Sequence, residues 1–329
     1  MVQKVSDDEF LSAWRMFGSP EKVSKALGMN VRGVYERRKR LEGKLGMPLP
    51  SAKDMTNRAS VNLPKKGSRH VLQGITGTVL IFSDLHPWPG EPRSPAYEAL
   101  LILCKELKPA VVIANGDIMD GASISRHPPV GWIDMPSVAD ELEYCKELMG
   151  DIARACPATT KKTVDGGNHD SRFAIRLAMQ APEYVGLHGT DLKHHFPDWA
   201  WGWSTEINDQ FIAKHRWHGG IHAAHANTLK SGRSMATGHT HRCQVTAFAD
   251  YNGRRWGIET GTLSDWGPEF DKQTWTEDAP LNWGQGFAVL TFDNRGRLLP
   301  PELCEVLDGV AYFRGEAVIS KSVKRRKAA

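Results

Sequence analysis

The sequence predicts an α/β fold with a mostly parallel sheet, preceded by a small all-α segment. From Thr76 onward, short apolar runs alternate with helical patterns, which is typical of βαβ units. Several of these runs end abruptly in Asp, Asn or His, as strands do when they deliver polar side chains to the ligand-binding edge of an open sheet. Before residue 46, apolar residues recur at helical spacing, which predicts the all-α segment.

Length and composition are those of an ordinary soluble protein. The chain has 329 residues, 40% hydrophobic and 24% charged, enough for one large domain and a small addition. No apolar run approaches the roughly 20 residues that span a bilayer, so no membrane association is expected. The five cysteines have no CxxC spacing, which favours reduced thiols and a cytoplasmic protein.

Charge is unevenly distributed along the chain. Residues 1–70 contain 15 Lys and Arg against 7 Asp and Glu, a net of +8, and residues 320–329 add +5. The overall net charge of +4 therefore leaves −9 for residues 71–319. Two basic ends around an acidic middle indicate that the ends meet a polyanion.

Residues 1–46 are predicted to form a helix-turn-helix domain. Helices are expected at 7–17 and 21–27, and a third follows from about residue 30 to 45. A helix, a turn that contains glycine and a basic helix are the plan of a DNA-binding helix-turn-helix unit. The candidate DNA contacts are Asn30, Arg32, Tyr35, Arg37, Arg38 and Arg40. The alternative is a basic helical hairpin that packs on the main domain or on a partner protein.

The rest of the chain divides by composition. Residues 47–70 contain several prolines and polar residues without a period, which predicts a linker. The main domain is expected over residues 71–319. Residues 320–329 form a basic tail.

Five short motifs follow predicted strands of the main domain. They are Asp84-x-His86, Gly116-Asp117-x-x-Asp120, Gly167-Asn168-His169-Asp170, His218-Gly219 and Gly238-His239-x-His241. Residues two apart in an extended chain point to the same side, which pairs Asp84 with His86 and His239 with His241. Their mixed nitrogen and oxygen ligands suit two divalent ions such as Mn²⁺, Fe²⁺ or Zn²⁺. Each motif alone is equally well explained as a surface loop, but five in order at strand ends indicate a metal centre.

Together the five motifs resemble those of the calcineurin-like metallophosphoesterases, over roughly residues 76–320. Three further stretches resemble phage-encoded members of that family: Ser123-x-Ser125-Arg126-His127, residues 259–265 and residues 283–287. The resemblance implies two mixed β-sheets packed face to face with flanking helices. A phage-encoded protein of this type would act in the host cytoplasm.

The resemblance also implies a role for each site residue. The ligands of a first metal ion would be Asp84, His86, Asp117 and His241, and those of a second Asp117, Asn168, His218 and His239. Mn²⁺ is the expected metal, with Fe²⁺ or Zn²⁺ as alternatives. His169 would face the phosphate as a proton donor or electrostatic stabiliser, and Arg126 and His127 are candidate substrate contacts.

The fourth motif offers a choice among neighbouring histidines. Four lie close together: His215, His218, His222 and His225. His218 is preferred because a His-Gly pair at a strand end fits the family. His215 is an odd number of residues away, so alternation predicts that it lies on the other side of the strand.

The implied activity is hydrolysis of a phosphoester by a hydroxide that two metal ions activate. The basic N-terminal segment favours DNA as the substrate, and therefore a phosphodiesterase or nuclease. One alternative is a phosphatase or small-nucleotide phosphodiesterase whose N-terminal segment docks on a partner. Another is a DNA-binding protein with a silent phosphoesterase domain. The sequence predicts no oligomeric state.

Overall fold

A computed structural model describes residues 5–49, 68–127, 133–265 and 282–320. Contacts divide the chain into two compact units, residues 1–61 with 177–185 and residues 62–176 with 186–329. Most of the predicted linker 47–70 and residues 321–329 of the predicted basic tail lie outside the described residues.

Residues 5–49 form three helices. They are α1 (Asp7–Phe17), α2 (Pro20–Leu27) and α3 (Val31–Leu45). Ser6 begins α1 with a capping box, in which its hydroxyl accepts a hydrogen bond from the backbone N–H of Glu9. Gly28 ends α2 in the left-handed conformation that glycine adopts without strain. The helices predicted for this segment are therefore present.

An apolar cluster holds these helices together. Phe10 and Trp14 of α1, Val23 of α2 and Val34 of α3 are completely buried. Burial of each such side chain contributes roughly 1.5–3 kcal/mol. Since isolated helices this short are marginal in water, tertiary packing stabilises them.

The second unit is built on two mixed β-sheets. Its strands are β1 (His70–Leu72), β2 (Gly77–Phe82), β3 (Val111–Ala114), β4 (Lys161–Asp165), β5 (Ala200–Gly202), β6 (Thr205–Ile207), β7 (Phe211–Ala213), β8 (Ser234–Thr237), β9 (Cys243–Asp250), β10 (Gly253–Thr260), β11 (Gly286–Phe292), β12 (Glu302–Leu307), β13 (Val310–Phe313) and β14 (Glu316–Ser320). One sheet has the order β1-β6-β7-β8-β10-β9, and the other β14-β13-β12-β11-β2-β3-β4-β5.

Helices accompany both sheets. They are α4 (Pro95–Leu107), α5 (Val138–Ala155), α6 (Asp170–Gln180) and α7 (Ala223–Ser231). α4 packs on α5 and on strands β11 to β14, whereas α7 packs on β8, β9 and β10. Among the described residues, no helix has both the length and the apolarity to cross a bilayer.

The main apolar core lies between the two sheets. Val79, Ile113 and Leu290 of the larger sheet meet Phe211 and Ile258 of the smaller one, and all five are completely buried. No helical residue from the described part of the chain belongs to this cluster, so the helices lie on the outer faces. The predicted α/β architecture, two mixed sheets packed face to face with flanking helices, is confirmed. The expectation of a mostly parallel sheet is wrong, because β2 and β11 to β14 pair antiparallel.

Strand direction positions the motifs. β2, β3 and β4 run parallel, so their carboxyl ends meet at one edge of the larger sheet. β7 and β8 run parallel in the smaller sheet. The five segments that follow these strands carry the five motifs.

Candidate metal centre

Asp84, which follows β2, is completely buried. Its Oδ2 accepts hydrogen bonds from the backbone N–H of His239 at 2.9 Å and from the Ser83 hydroxyl. Its Oδ1 lies 3.1 Å from His241 Nε2 and 3.7 Å from His86 Nε2. One oxygen is therefore fixed by the fold, and the other faces two imidazoles.

Asp117, which follows β3, divides its oxygens in the same way. Oδ1 accepts a hydrogen bond from the backbone N–H of His169 at 2.8 Å. Oδ2 lies 3.0 Å from His215 Nε2 and 4.0 Å from His86 Nε2. A single carboxylate oxygen thus faces histidines from both sheets.

These side chains form overlapping groups whose ligand atoms lie within 4.8 Å of one another. The groups are Asp84 with His86 and His241, His86 with Asp117 and His169, and Asp117 with His215 and His239. Next to His169, Asn168 Oδ1 is buried and has no hydrogen-bond partner in the described ranges. A buried polar oxygen is costly unless something satisfies it, and a cation does so. The donor set therefore fits a pair of divalent metal ions.

The backbone of the centre is strained. Five non-glycine residues have φ between 37° and 69°, namely Asp84, His86, Asp117, His239 and His241. Each left-handed non-glycine residue costs roughly 1–3 kcal/mol, and such residues cluster at functional sites. The fold holds these side chains in place at the expense of stability, which indicates a function.

Two motif glycines leave room for the carboxylates. A Cβ at Gly167 would lie 2.1 Å from Asp117 Oδ1, and a Cβ at Gly238 would lie 2.7 Å from Asp84 Oδ2. Because no side chain fits at either position, the third and fifth motifs need glycine for close approach rather than for a turn.

Asp120 contacts the Nδ1 atoms of two imidazoles at the centre. Its Oδ1 lies 3.0 Å from His86 Nδ1 and 2.9 Å from His169 Nδ1. A carboxylate at Nδ1 fixes the tautomer that keeps the lone pair of His86 on Nε2, the atom that faces Asp84 and Asp117. Asp120 therefore orients the predicted ligand instead of joining the ligand set.

Asp170, the first residue of α6, fixes the loop that carries Asp117. Its carboxylate accepts hydrogen bonds of 2.8 to 3.2 Å from the backbone N–H groups of Asp117, Ile118, Met119 and Gly167. Burial and the charge of Asp117 raise the pKa of Asp170 to about 6. The last residue of the third motif thus holds together two of the loops that form the centre.

Carboxylates and imidazoles shift each other's pKa at the centre. Burial disfavours the charged form of His86, but Asp120, Asp84 and Asp117 outweigh it and raise the pKa to about 10. Burial of His215 is likewise outweighed by Asp117, and its pKa rises to about 9. Burial opposes the ionised form of Asp117, yet His215 holds its pKa below the usual range. The carboxylates remain anionic and attract positive charge, whether protons or metal ions.

The structure brings His215, and not His218, to the centre. β7 ends at Ala213, so the alternation that argued against His215 does not extend to residue 215. His215 is 1% exposed, and its Nδ1 donates to the Asn115 carbonyl at 2.7 Å, which aims Nε2 at the carboxylate of Asp117. His218 belongs to none of the groups within the described residues. His215 therefore takes the position predicted for His218.

Arg172, which the sequence analysis missed, lies beside His169. His169 Nδ1 is 2.9 Å from the carbonyl oxygen of Asp120, and Arg172 Nη1 donates to that same oxygen at 2.9 Å. Arg172 Nη2 lies 3.2 Å from His169 Nε2. The available signal was its position three residues after His169, where residues on a helix are neighbours.

Arg126 and His127 lie on the exposed segment between β3 and α5. The backbone N–H of His127 donates to Ser125 Oγ at 3.1 Å. The role of these two residues as substrate contacts stays a prediction.

The predicted DNA contacts on α3 are of two kinds. Arg37 pairs with Asp7 at 2.8 Å and Arg38 with Glu42 at 2.7 Å, and both guanidinium groups stack over buried aromatic rings. Arg40 also pairs with Asp7, at 2.8 Å. The exposed candidates at the start of the helix are Asn30, Arg32 and Tyr35. Arg37 and Arg38 thus serve the structure of the helical unit.

No protein-family model and no curated protein matches the sequence. Among solved structures, vacuolar protein sorting 29 from Cryptosporidium parvum is 14% identical, with 75% of this chain and 100% of that chain covered and a TM-score of 0.39. A metallophosphoesterase from Sphaerobacter thermophilus is 13% identical, with 70% and 88% covered and a TM-score of 0.34. A protein serine/threonine phosphatase from Saccharomyces cerevisiae is 11% identical, with 83% and 94% covered and a TM-score of 0.36.

These structural likenesses are distant and say nothing about substrate or activity. None of them bears on the helix-turn-helix domain or on the phage-encoded type, which stay predictions. The functional assignment therefore depends on the residues of this chain.

Proposed function

We propose that this protein hydrolyses phosphoester bonds with the help of two divalent metal ions. The observation that carries the proposal is the position of Asp117 Oδ2, 3.0 Å from His215 and 4.0 Å from His86. One carboxylate oxygen placed between two histidine groups is what a ligand shared by two cations requires.

The ligand sets follow from the groups at the centre. One ion would be held by Asp84, His86, Asp117 and His241, and the other by Asp117, Asn168, His215 and His239. Mn²⁺ is the proposed metal, with Fe²⁺ or Zn²⁺ as alternatives. When bound, such a pair lowers the pKa of water and offsets the negative charge of a phosphate.

His169 is placed to act on the leaving group. Asp120 accepts at Nδ1 of His169 and orients the ring, so Nε2 would be the atom that donates to the leaving group. Arg172, which now donates to that Nε2 at 3.2 Å, has further N–H donors that suit phosphate oxygens. The two residues would bind the phosphate and protonate the departing alcohol from one side.

For the substrate we propose a phosphodiester of DNA. The net charge of +8 on residues 1–70 supports this choice, because a polyanion is attracted to such a segment. The exposed Asn30, Arg32 and Tyr35 at the start of α3 are where a recognition helix would read bases. A nuclease of the phage-encoded type, acting in the host cytoplasm, is the specific form of the proposal.

A substrate panel tests the proposal. Purified full-length protein with Mn²⁺ is given bis(p-nitrophenyl) phosphate, single-stranded DNA, duplex DNA, a cyclic nucleotide and a phosphopeptide. We expect turnover of the nitrophenyl ester and of DNA, with loss of both after chelation. Turnover of the phosphopeptide alone would refute the DNA substrate, and no turnover of any ester would refute the proposed reaction.

A further inference from the structure

The segment that follows His215 presents aromatic and cationic side chains to solvent. We call residues 216–222 the 216–222 loop. Trp217 is 43% exposed and Ile221 is 70% exposed, and Arg216 and His222 are also exposed. An exposed tryptophan beside an arginine is the surface expected of a site that stacks a base and attracts a phosphate backbone.

Side chains from outside the loop fix it at two points. Asn227, which is 1% exposed, accepts from the backbone N–H of His218 at 3.1 Å and donates to its carbonyl at 3.2 Å. Arg242 donates to the carbonyl of Gly220 at 2.7 Å and is itself held by the buried carboxylate of Glu259 at 2.9 Å. The exposure of Trp217 is therefore a property of a fixed loop, which presents the ring in one place.

Two side chains, His218 and Lys230, support the indole ring of Trp217. Trp217 lies over His218 with ring centroids 5.5 Å apart and an interplanar angle of 27°. His218 Nε2 is 3.0 Å from Lys230 Nζ. Because an ammonium group only donates, Nε2 accepts, and the ring proton of His218 is on Nδ1. His218 thus supports Trp217 and carries a lysine to the same surface.

The loop lies next to the candidate metal centre. Trp217 is two residues from His215, so their Cα atoms are at most about 7.6 Å apart, since successive Cα atoms are 3.8 Å apart. Asn227 Nδ2 also donates to Thr237 Oγ1 at 3.5 Å, at the end of the strand that leads to His239. A nucleotide whose phosphate occupied the centre would reach the loop with its base.

We propose that the 216–222 loop is a base-binding subsite, in which Trp217 stacks on an unpaired nucleobase next to the phosphodiester to be cleaved. The inference rests on the proposed function and narrows its substrate to single-stranded nucleic acid. A paired base in a duplex presents only its edges, so its ring face is not available to an indole. A phosphoserine or phosphothreonine peptide offers no comparable ring beside its phosphate.

The test compares two substrates in each variant of the full-length protein. The readout is the ratio of kcat/KM for a single-stranded oligothymidylate to kcat/KM for an abasic oligonucleotide of the same length, whose phosphodiesters carry no ring for the indole to stack on. Trp217→Ala should lower this ratio about 5- to 150-fold, the fold-change that corresponds to a stacking contribution of roughly 1–3 kcal/mol per base. Trp217→Phe should retain most of it. Tyr251→Ala is the control, because Tyr251 is fully exposed at the turn between β9 and β10, and it should leave the ratio unchanged.

An unchanged ratio in Trp217→Ala, or an equal loss with Tyr251→Ala, would overturn the subsite. Oligouridylate in parallel shows whether the backbone recognised is DNA or RNA: a preference for oligouridylate would refute the DNA substrate of the proposed function, whereas the effect of Trp217→Ala tests the subsite with either backbone. If the wild type hydrolyses no ester, the proposed function fails, and the subsite is tested by binding. In that case we measure the fluorescence anisotropy of a labelled oligothymidylate and expect it to bind Trp217→Ala more weakly than Tyr251→Ala. Equal binding to the two variants would refute the inference.

Discussion

The candidate metal centre and the helical unit of residues 5–49 both bring opposite charges together, but in different surroundings. In the helical unit, the Asp7 side chain is 34% exposed and pairs with Arg37 and Arg40 near solvent. At the centre, Asp84 and Asp117 are at most 1% exposed and face imidazoles. The helical unit has regular, capped backbone, whereas five non-glycine residues at the centre are left-handed.

The difference shows what each region is built for. A partly exposed ion pair contributes a few tenths of a kcal/mol up to about 1 kcal/mol, and its partners gain little from being fixed. Buried carboxylates on strained backbone lower stability unless a cation joins them. The helical unit thus uses charge for local structure, and the centre is arranged for a ligand.

Replacing His215 should give the largest effect. His215→Asn removes the imidazole that faces Asp117, so we expect about one Mn²⁺ fewer per chain and a fall in kcat of at least about a thousandfold, because a metal contributes several kcal/mol to the transition state. Metal analysis of the purified protein and turnover of bis(p-nitrophenyl) phosphate measure both. His218→Asn is the matched control and should keep its full metal content. Metal loss in His218→Asn with full metal content in His215→Asn would mean that His218, as predicted from the sequence, is the ligand.

A smaller loss is expected at Asp120, which orients ligands without being one. Asp120→Asn keeps the shape of the side chain but removes the charge at Nδ1 of His86 and His169, so Mn²⁺ affinity or kcat should fall about 10- to 100-fold. Isothermal titration with Mn²⁺ and steady-state kinetics measure the two quantities. Asp134→Asn, at an exposed position, serves as the control. If Asp120→Asn kept the wild-type Mn²⁺ affinity and kcat, the contacts of Asp120 at Nδ1 would contribute to neither metal binding nor turnover.

Two arginines of α3 test the helical unit, the second region of the comparison. Arg37→Met loses the pair with Asp7, the bond to the Val5 carbonyl and the packing over Phe10, so the helical unit should melt about 4–8 °C lower. Arg32→Met, at a side chain 90% exposed, should leave the Tm unchanged but reduce the salt dependence of DNA binding by about one ion. Thermal unfolding of the full chain and DNA titrations at several salt concentrations measure the two effects. A lower Tm in Arg32→Met together with a weaker salt dependence in Arg37→Met would mean that Arg37 contacts DNA and Arg32 stabilises the fold.

A buried carboxyl group outside the proposed ligand set should make the stability of the protein depend on pH. Burial raises the pKa of Asp165 to about 8, and Thr205 donates to its Oδ1 at 2.8 Å. A carboxyl group whose pKa is higher in the folded state binds more protons when folded, so stability falls as pH rises from about 4 to about 8. Asp165→Asn should unfold at a higher urea concentration than the wild type at about pH 8, and the gap should narrow towards about pH 5. These measurements are made with metal chelated, and Asp198→Asn, at an exposed site, is the control. If the difference in urea concentration between Asp165→Asn and the wild type did not change with pH, the Asp165 carboxyl would not be the source of the pH dependence.

The helical unit could be predicted nearly residue by residue, because local signals decide it. Ser6 and Glu9 start α1, Gly28 ends α2, and apolar residues at helical spacing define the buried face. These interactions join residues within a few positions of each other. Local signals do not show which arginines face solvent, because that depends on packing against Phe10 and Trp14. Two of the predicted DNA contacts, Arg37 and Arg38, therefore pack over these buried rings.

The centre could be predicted as a set of strand ends but not in every member. Asp84, Asp117 and His241 lie directly beyond short strands, so sequence spacing placed them correctly near one another. Alternation predicts the wrong side for His215, because the direction of this side chain is decided after the strand has ended, by the Asn115 carbonyl a hundred residues earlier in the chain. The same long-range contact cannot be inferred from alternation, which holds only within a strand.

The central claim is that Asp117 is the ligand shared by two metal ions, and electron paramagnetic resonance of the Mn²⁺-loaded protein tests it directly. The wild type should bind two Mn²⁺ per chain with the spectrum of a spin-coupled pair. Asp117→Asn should fold as the wild type does by circular dichroism, hold at most one uncoupled ion and have no measurable turnover. Two uncoupled ions in the wild type, or a coupled pair with retained turnover in Asp117→Asn, would contradict the shared carboxylate.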